Sequence, residues 1–324
     1  MSTSETSSSE ETKPSIGTMV RGVFSTLRPH QWIKNLFVLA PLFFSKTFLV
    51  PTKLIEGLSA ALLFCLAAGT VYLFNDILDI EKDLQHPVKK NRPIPSGDLP
   101  INIAWGSAFV IGAIAIGGSF LLGTWTGAVV TGYLVMNLAY STRLKDIAFL
   151  DVSIIATGFV LRVLAGAFAI DVFISEWLIA CTFFLALYLG LGKRDHELRL
   201  YLAGEVDKSR KVLERYRAEH LDFGVLFVAG LTIAVYTIYT LTAALPEQPL
   251  RSQHTPFSSP WLPLTIPFAV FGITRFYQLI NKEVPESPTD LILEDPPFIV
   301  NLALWGITML VIAFGPQGTE FVLS

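Results

Sequence analysis

Charge is scarce in this chain. Of its 324 residues only 16% are Asp, Glu, Lys or Arg, and the mean hydropathy is +0.54. Soluble globular domains carry about 25% charged residues, so an ordinary soluble fold is excluded. The little charge present has no strong sign. A net value of −3 leaves no basic field with which to hold nucleic acid. Cysteine is nearly absent. Cys65 and Cys181 lie inside apolar runs, and without a Cys-x-x-Cys or a Cys/His cluster they read as small hydrophobes, not as a disulfide or a zinc site. The patterns GxxxxGK[ST], GxSxG and HExxH are missing too. That argues against a P-loop ATPase, an elbow-type serine hydrolase and a zinc protease. No period of about 20–50 residues repeats.

Long apolar runs are what the chain does have. Crossing about 30 Å of hydrocarbon takes about 20 residues, and nine runs qualify: 33–51, 56–77, 101–122, 124–141, 151–171, 175–192, 222–244, 260–281 and 297–315. Backbone groups in lipid must bond within their own segment, so these are expected as helices. The first and fourth are the weakest, being short or interrupted; Lys34, Pro41 and Lys46 break the first. The expected fold is an all-α membrane protein, a bundle of nine transmembrane helices forming one domain from residue 17 to residue 324. Residues 1–16 are rich in Ser, Thr and Glu and are expected to be a disordered tail. They lack the basic start and apolar core of a cleavable signal peptide.

The basic residues orient this bundle. Twenty of the 24 fall in the first segment and in alternate loops; only Lys46, Lys53 and Arg251 fall in the opposite loops, and Arg162 is inside a helix. The positive-inside rule then sets the N-terminus in the cytoplasm and the C-terminus outside, which requires an odd number of spans. The long charged loops 78–100, 193–221 and 281–296 lie on the cytoplasmic side, where chemistry is expected. Residues 201–221 read as an amphipathic, interfacial helix.

The second apolar run ends in Asn75-Asp76-Ile77-Leu78-Asp79-Ile80-Glu81-Lys82-Asp83. Spacings of three and four put Asp76, Asp79 and Asp83 on one helix face. Three carboxylates so placed repel unless a cation lies among them, and Mg²⁺ suits carboxylates combined with phosphate oxygens. Lys89, Lys90 and Arg92 follow and would grip the rest of a phosphorylated ligand. Tyr140 and Lys145 in the next charged loop are candidates for the same cavity, although two basic residues there also serve topology alone. Arg162 sits mid-helix, where facing lipid costs several kcal/mol. It must therefore pair with a carboxylate or line a polar cavity as a clamp on an anion. Lys193 and Arg194, closing the sixth run, are phosphate-binding candidates or a solvated helix end.

Asn75-Asp76-x-x-Asp79-x-x-x-Asp83 at the end of the second run resembles the first aspartate motif of the UbiA superfamily of intramembrane prenyltransferases, and Tyr140-Ser141-x-x-x-Lys145 looks like the start of their second. A second pair of aspartates four apart is missing; Asp146 and Asp151 lie five apart. Arg28-Pro29-His30-Gln31-Trp32-Ile33-Lys34-Asn35, His86-Pro87, Gly192-Lys193-Arg194-x-x-Glu197-Leu198 and Pro288-Thr289-Asp290 resemble the decaprenyl-phosphate phosphoribosyltransferase branch. The resemblance implies a multi-pass enzyme of the cytoplasmic (inner) membrane, its active site facing the cytoplasm and its product a cell-wall precursor. Such an enzyme transfers 5-phosphoribosyl from phosphoribosyl diphosphate to a polyprenyl phosphate. Asp76, Asp79 and Asp83 would be the catalytic, Mg²⁺-holding set. Asn75, Lys34, Lys89, Arg92, Tyr140, Lys145, Arg162, Lys193 and Arg194 would bind substrate. A second reading keeps the fold and moves a prenyl group from a polyprenyl diphosphate to an aromatic acceptor. A third, an ion path through a transporter, is disfavoured because the charges cluster on one side and only Arg162 lies deep. Homo-oligomerisation is left open.

Overall fold

The computed structural model describes residues 14–204, 212–244, 259–282, 292 and 294–314. Among them every regular element is helical. In chain order they are α1 (Ile16–Thr26), a 3₁₀ helix (Pro29–Leu39), α2 (Ala40–Phe44), α3 (Pro51–Leu78), α4 (Ile80–Gln85), α5 (Ile101–Leu122), α6 (Thr124–Thr142), α7 (Leu150–Ala169), α8 (Glu176–Leu202), α9 (Ala218–Ala244), α10 (Ile266–Ile280) and α11 (Pro296–Phe314). Short 3₁₀ turns connect several of them.

Six helices, α3, α5, α7, α8, α9 and α11, are long and apolar enough to cross a membrane. Three expected spans differ. The run 124–141 does form one helix, α6, of 19 residues, but it is not among the six. The run 260–281 opens as a 3₁₀ turn (Leu262–Thr265), and its α-helix has 15 residues, about 22 Å at the helical rise. The run 33–51 is not a single helix at all. It is divided among the 3₁₀ helix, α2 and a further 3₁₀ turn, with Lys46 in the left-handed region at φ 59°. The expected tail ends sooner than residue 16, because Ser15 caps α1 by accepting from the Thr18 N–H; residues 1–13 lie outside the described residues. Of the expected helix over 201–221, residues 205–211 lie outside the described residues; on either side of them α8 runs on to Leu202, a 3₁₀ turn occupies Leu213–Arg215, and α9 begins at Ala218. Pro288-Thr289-Asp290 lies outside the described residues.

Four hydrophobic cores hold the bundle among the described residues, and the two with the most buried side chains position the site. In one, Phe64, Ala67, Ala68 and Val71 of α3 meet Ala115 of α5, Tyr133 of α6, Ala165 of α7 and Val38 of the 3₁₀ helix. In the other, Val152 of α7, Tyr188 and Leu191 of α8, Leu221 and Val225 of α9 and Phe276 of α10 pack together. Small residues matter in the first because helices in lipid associate by close packing and gain little from apolar burial. Gly166 of α7 is the sharpest case: a Cβ there would overlap the Val38 carbonyl. The 3₁₀ helix can lie against α7 only because that position is glycine. At the other end of the chain, Asp295 caps α11 through the Phe298 N–H and receives Arg275 of α10 at 2.7 and 3.0 Å. Large apolar side chains such as Phe109, Leu121 and Phe227 stand exposed on the outside, as befits surfaces that meet lipid.

Candidate active site

The helix-breaking residue between α3 and α4 is Asp79 itself, with φ −98° and ψ 11°. The hydrogen-bond ladder still nearly continues, since the Asp83 N–H reaches the Asp79 carbonyl at 2.8 Å and the Asp79 N–H reaches that of Asn75 at 3.0 Å. Seven residues make almost two full turns, so Asp76 and Asp83 come onto one face and Asp79 is turned aside. Both are buried. Arg92 Nη1 bridges them, donating to Asp76 Oδ1 at 3.0 Å and to Asp83 Oδ2 at 2.6 Å. Arg28 Nη2 donates to the same Asp76 oxygen at 2.6 Å. Asp79 accepts instead from Lys82 at 3.1 Å, and both its oxygens lie 3.4 Å from Lys145 Nζ. Burial alone would raise the Asp79 carboxyl; the Lys82 hydrogen bond and the Lys145 charge outweigh it and hold the group below the usual carboxylate range.

Arg28 was not among the candidate residues, yet it joins the two halves of the site. Its backbone is left-handed, φ 52° and ψ 63°, directly before Pro29, a conformation that costs about 1–3 kcal/mol and marks functional positions. It sets the 3₁₀ helix going. With three residues per turn, side chains at i and i+3 eclipse, so Arg28, Gln31 and Lys34 form a row. The Arg28 guanidinium lies over the Tyr72 ring at 4.9 Å. Gln31 Oε1 accepts from the Tyr72 hydroxyl at 3.0 Å and from Lys34 at 3.3 Å. The adjoining row, Asn35 and Val38, is buried against α3 and α7. Sequence reasoning missed Gln31 and Tyr72 as well; the three-residue spacing of Arg28, Gln31 and Lys34 was the available signal.

Arg162 is held without an acid. Nε donates to Asn35 Oδ1 at 2.8 Å, Nη1 to the Gly158 carbonyl at 2.8 Å and Nη2 to the Tyr133 hydroxyl at 3.2 Å. The rings of Phe64, Tyr133 and Phe159 each lie 5.1 Å from its Cζ. Among the described residues no carboxylate lies within ion-pair distance of it. Its charge, with those of Lys193 and Arg28, acts on Lys34. Arg28 thus links this cationic group, Lys34, Arg162 and Lys193, to Asp76.

Arg194 goes elsewhere. It is buried, with Nε on Asp151 Oδ2 at 2.7 Å and Nη1 on Glu197; the structure brings it to two acids and not to the aspartate face. Lys193, its neighbour on α8, is half-buried, as are Asn75 at the end of α3, Lys89 in a 3₁₀ turn and Tyr140 near the end of α6.

The donor set bears on the expected metal. Among the described residues no three of His, Cys, Asp and Glu converge as a metal cage. What exists is a cationic nitrogen standing between two carboxylate oxygens. Mg²⁺ takes one or two carboxylates and completes its shell with water and substrate phosphate. The residues fit a cation shared with a phosphorylated ligand, with Arg92 at the position such a cation would fill.

Comparison with known proteins identifies relatives of the chain as a whole. The family model described as the UbiA prenyltransferase family matches residues 36–302. A decaprenyl-phosphate phosphoribosyltransferase from Corynebacterium glutamicum is 32% identical, over 88% of this chain and 84% of that protein. One from Mycolicibacterium smegmatis is 31% identical over 92% and 95%. A solved structure of a UbiA homolog from Archaeoglobus fulgidus, bound to DMAPP and Mg²⁺, superposes with a TM-score of 0.64, covering 90% of this chain and 98% of that one at 16% identity.

Proposed function

Because this chain belongs to the UbiA prenyltransferase family, we propose that it transfers the 5-phosphoribosyl group of phosphoribosyl diphosphate to a polyprenyl phosphate, releasing diphosphate. The observation that carries the reading is Arg28, bonded to Asp76 at 2.6 Å while its charge reaches Lys34. Carboxylates that want a cation and cations that want phosphate meet in one site. Relatives sharing nearly a third of their residues over most of both chains carry the phosphoribosyltransferase name.

Asp76 and Asp83, with Asp79 beside them, would hold Mg²⁺, which when bound neutralises charge on the departing diphosphate. Arg92 and Arg28 are then free to turn from carboxylate to phosphate, exchanging one charge-assisted bond for another. Lys145 contacts the diphosphate from the Asp79 side. Lys34, Lys193 and Arg162 supply the field that draws the second phosphate of the donor and the phosphate of the lipid. Asn75, Lys89 and Tyr140 line the approach. The bond from ribose carbon 1 to the diphosphate oxygen breaks through an oxocarbenium-like state, and an oxygen of the lipid phosphate forms the new bond to that carbon. This acceptor is already ionised near pH 7, so no general base is required. Arg194 acts indirectly, by pinning α8 to α7. The skewed distribution of basic residues supports a cytoplasmic N-terminus and a site open to that side of the inner membrane.

The test uses purified enzyme, radiolabelled phosphoribosyl diphosphate, polyprenyl phosphate and Mg²⁺. Label entering the lipid phase is the expected result. No such product, together with prenylation of an aromatic acid by a prenyl diphosphate, would overturn the proposal in favour of the alternative chemistry.

A further inference from the structure

Among the described residues Lys145 is the one cation that reaches Asp79 from another part of the fold, and something must hold it there. It sits in a 3₁₀ turn, Leu144–Asp146, between α6 and α7. The connection from that turn into α7 passes through Phe149, whose φ of 65° and ψ of −33° are strained for a bulky aromatic residue. Phe149 is 44% exposed, so packing alone does not impose that conformation.

Tyr216 does. It is 6% exposed and lies just before α9, some seventy residues further along the chain. Its hydroxyl accepts the Phe149 N–H at 2.8 Å and donates to Asp151 Oδ1. Its ring meets that of Phe149 edge to face at 5.1 Å. Asp151 is fully buried, and its second oxygen takes Arg194 of α8. Burial, followed by the bond to Asp151, pushes the Tyr216 phenol above its ordinary value, so it stays a proton donor throughout the working range. One residue earlier, Arg215 Nη1 donates to the Asp146 carbonyl at 2.7 Å, tying down the residue next to Lys145. The short segment before α9 therefore holds the 144–149 connection at both ends.

We infer that Tyr216 is a positioning residue that sets Lys145 against Asp79, with Arg215 as its helper. The contacts of both side chains run to Asp146, Phe149 and Asp151, not to the aspartate face. The hydroxyl fixes the strained Phe149, the fixed Phe149 sets the turn, and the turn delivers the ammonium group. The role of Lys145 toward diphosphate rests on the proposed function, but diphosphate is common to both donor chemistries considered, so the test does not depend on the rest of the donor.

The experiment measures binding of inorganic diphosphate with Mg²⁺ by calorimetry in the full-length protein, for wild type, Tyr216→Phe, Lys145→Met and the double variant. Tyr216→Phe keeps the ring and removes only the hydroxyl. It should weaken binding about tenfold, the scale of one buried hydrogen bond. In the Lys145→Met background the same change should have less than about a twofold effect, because the residue being positioned is gone. An equal loss in both backgrounds, or none in either, would overturn the inference. Arg215→Ala, an exposed site, provides the parallel cycle if Tyr216→Phe does not fold; it should give a smaller loss that also disappears without Lys145, and a loss that persists would count against the inference. Wild-type protein that binds diphosphate but forms no phosphoribosyl lipid would refute the proposed function and leave the positioning role standing.

Discussion

Arg92 offers the most direct test of how the aspartate face works. Its Nη1 bridges Asp76 and Asp83, both buried. Replacing it with Met keeps most of the aliphatic stem and removes the cation. Two charge-assisted hydrogen bonds are lost, each worth about 1.5–3 kcal/mol, and two buried carboxylates are left facing each other. The Arg92 side chain is 29% exposed, so solvent screens part of this, and Arg28 still serves Asp76. A net cost of about 2–4 kcal/mol in the absence of metal is expected from those terms. Mg²⁺ should then bind the variant more readily, since no guanidinium has to be displaced. Ligand binding to the folded state stabilises by about 2.7 kcal/mol at one hundred times the dissociation constant, enough to recover most of the loss. The assay is thermal unfolding in detergent, with EDTA or with graded Mg²⁺, for wild type and Arg92→Met. The variant should unfold at lower temperature in EDTA and gain more from Mg²⁺ than wild type does. An equal deficit with and without Mg²⁺ would refute the idea that Arg92 stands where a divalent cation belongs.

Three further outcomes are expected. Asp76→Ala should lower turnover at least about a hundredfold, the scale of removing one preorganised electrostatic contact; near-normal turnover at saturating Mg²⁺ would remove Asp76 from the reaction. Gly166→Ala should cost about 1–3 kcal/mol by overpacking, because the added methyl meets the Val38 carbonyl, and should weaken diphosphate binding by shifting the Arg28–Lys34 row; unchanged melting and binding would show that this close approach is not needed. The pH behaviour follows from Asp79. Its carboxyl is held below the usual range, so its ties to Lys82 and Lys145 contribute fully above the unfolded value near about 4 and are lost only as pH falls through the lower folded value. Between pH 5 and 8, Mg²⁺–diphosphate binding should show no step that Asp79→Asn abolishes, and such a step in calorimetric titrations would contradict the assignment.

Much of the fold was legible because lipid leaves the backbone few options. A long apolar run such as 56–77 or 101–122 must become a helix, and α3 and α5 do. The aspartates were legible for the same kind of reason, since spacings of three and four define a helix face. Yet the face that forms holds two of them. Asp79 breaks the helix at the junction, and the near-integral two turns between Asp76 and Asp83 align that pair alone. Arg162 was readable as a buried cation, but its partners were not. Asn35 lies on another segment of the chain, and no local pattern announces that an amide would serve where a carboxylate was expected. Arg194 carried the same signal as Lys193, and only packing against Asp151 of α7 separated their roles.

The contrast is clearest at residues 28–38. Composition marks only residues from 33 onward as the start of an apolar run, which is why that part reads as a membrane span and Arg28 as lying before it. Which helix the stretch forms depends on long-range contacts: the bare Cα of Gly166 admits the Val38 carbonyl, and Asn35 reaches Arg162. Held at those points, and entered through a left-handed Arg28, the segment winds at three residues per turn. That winding lines Arg28, Gln31 and Lys34 along one edge beside Asp76. Apolar run length and residue spacing are enough to require that helices form, that acids end one of them and that cations lie nearby. Tertiary structure decided which acids share a cation and which cations face them, because side-chain direction follows helical pitch, and here pitch was set by neighbours distant in the chain.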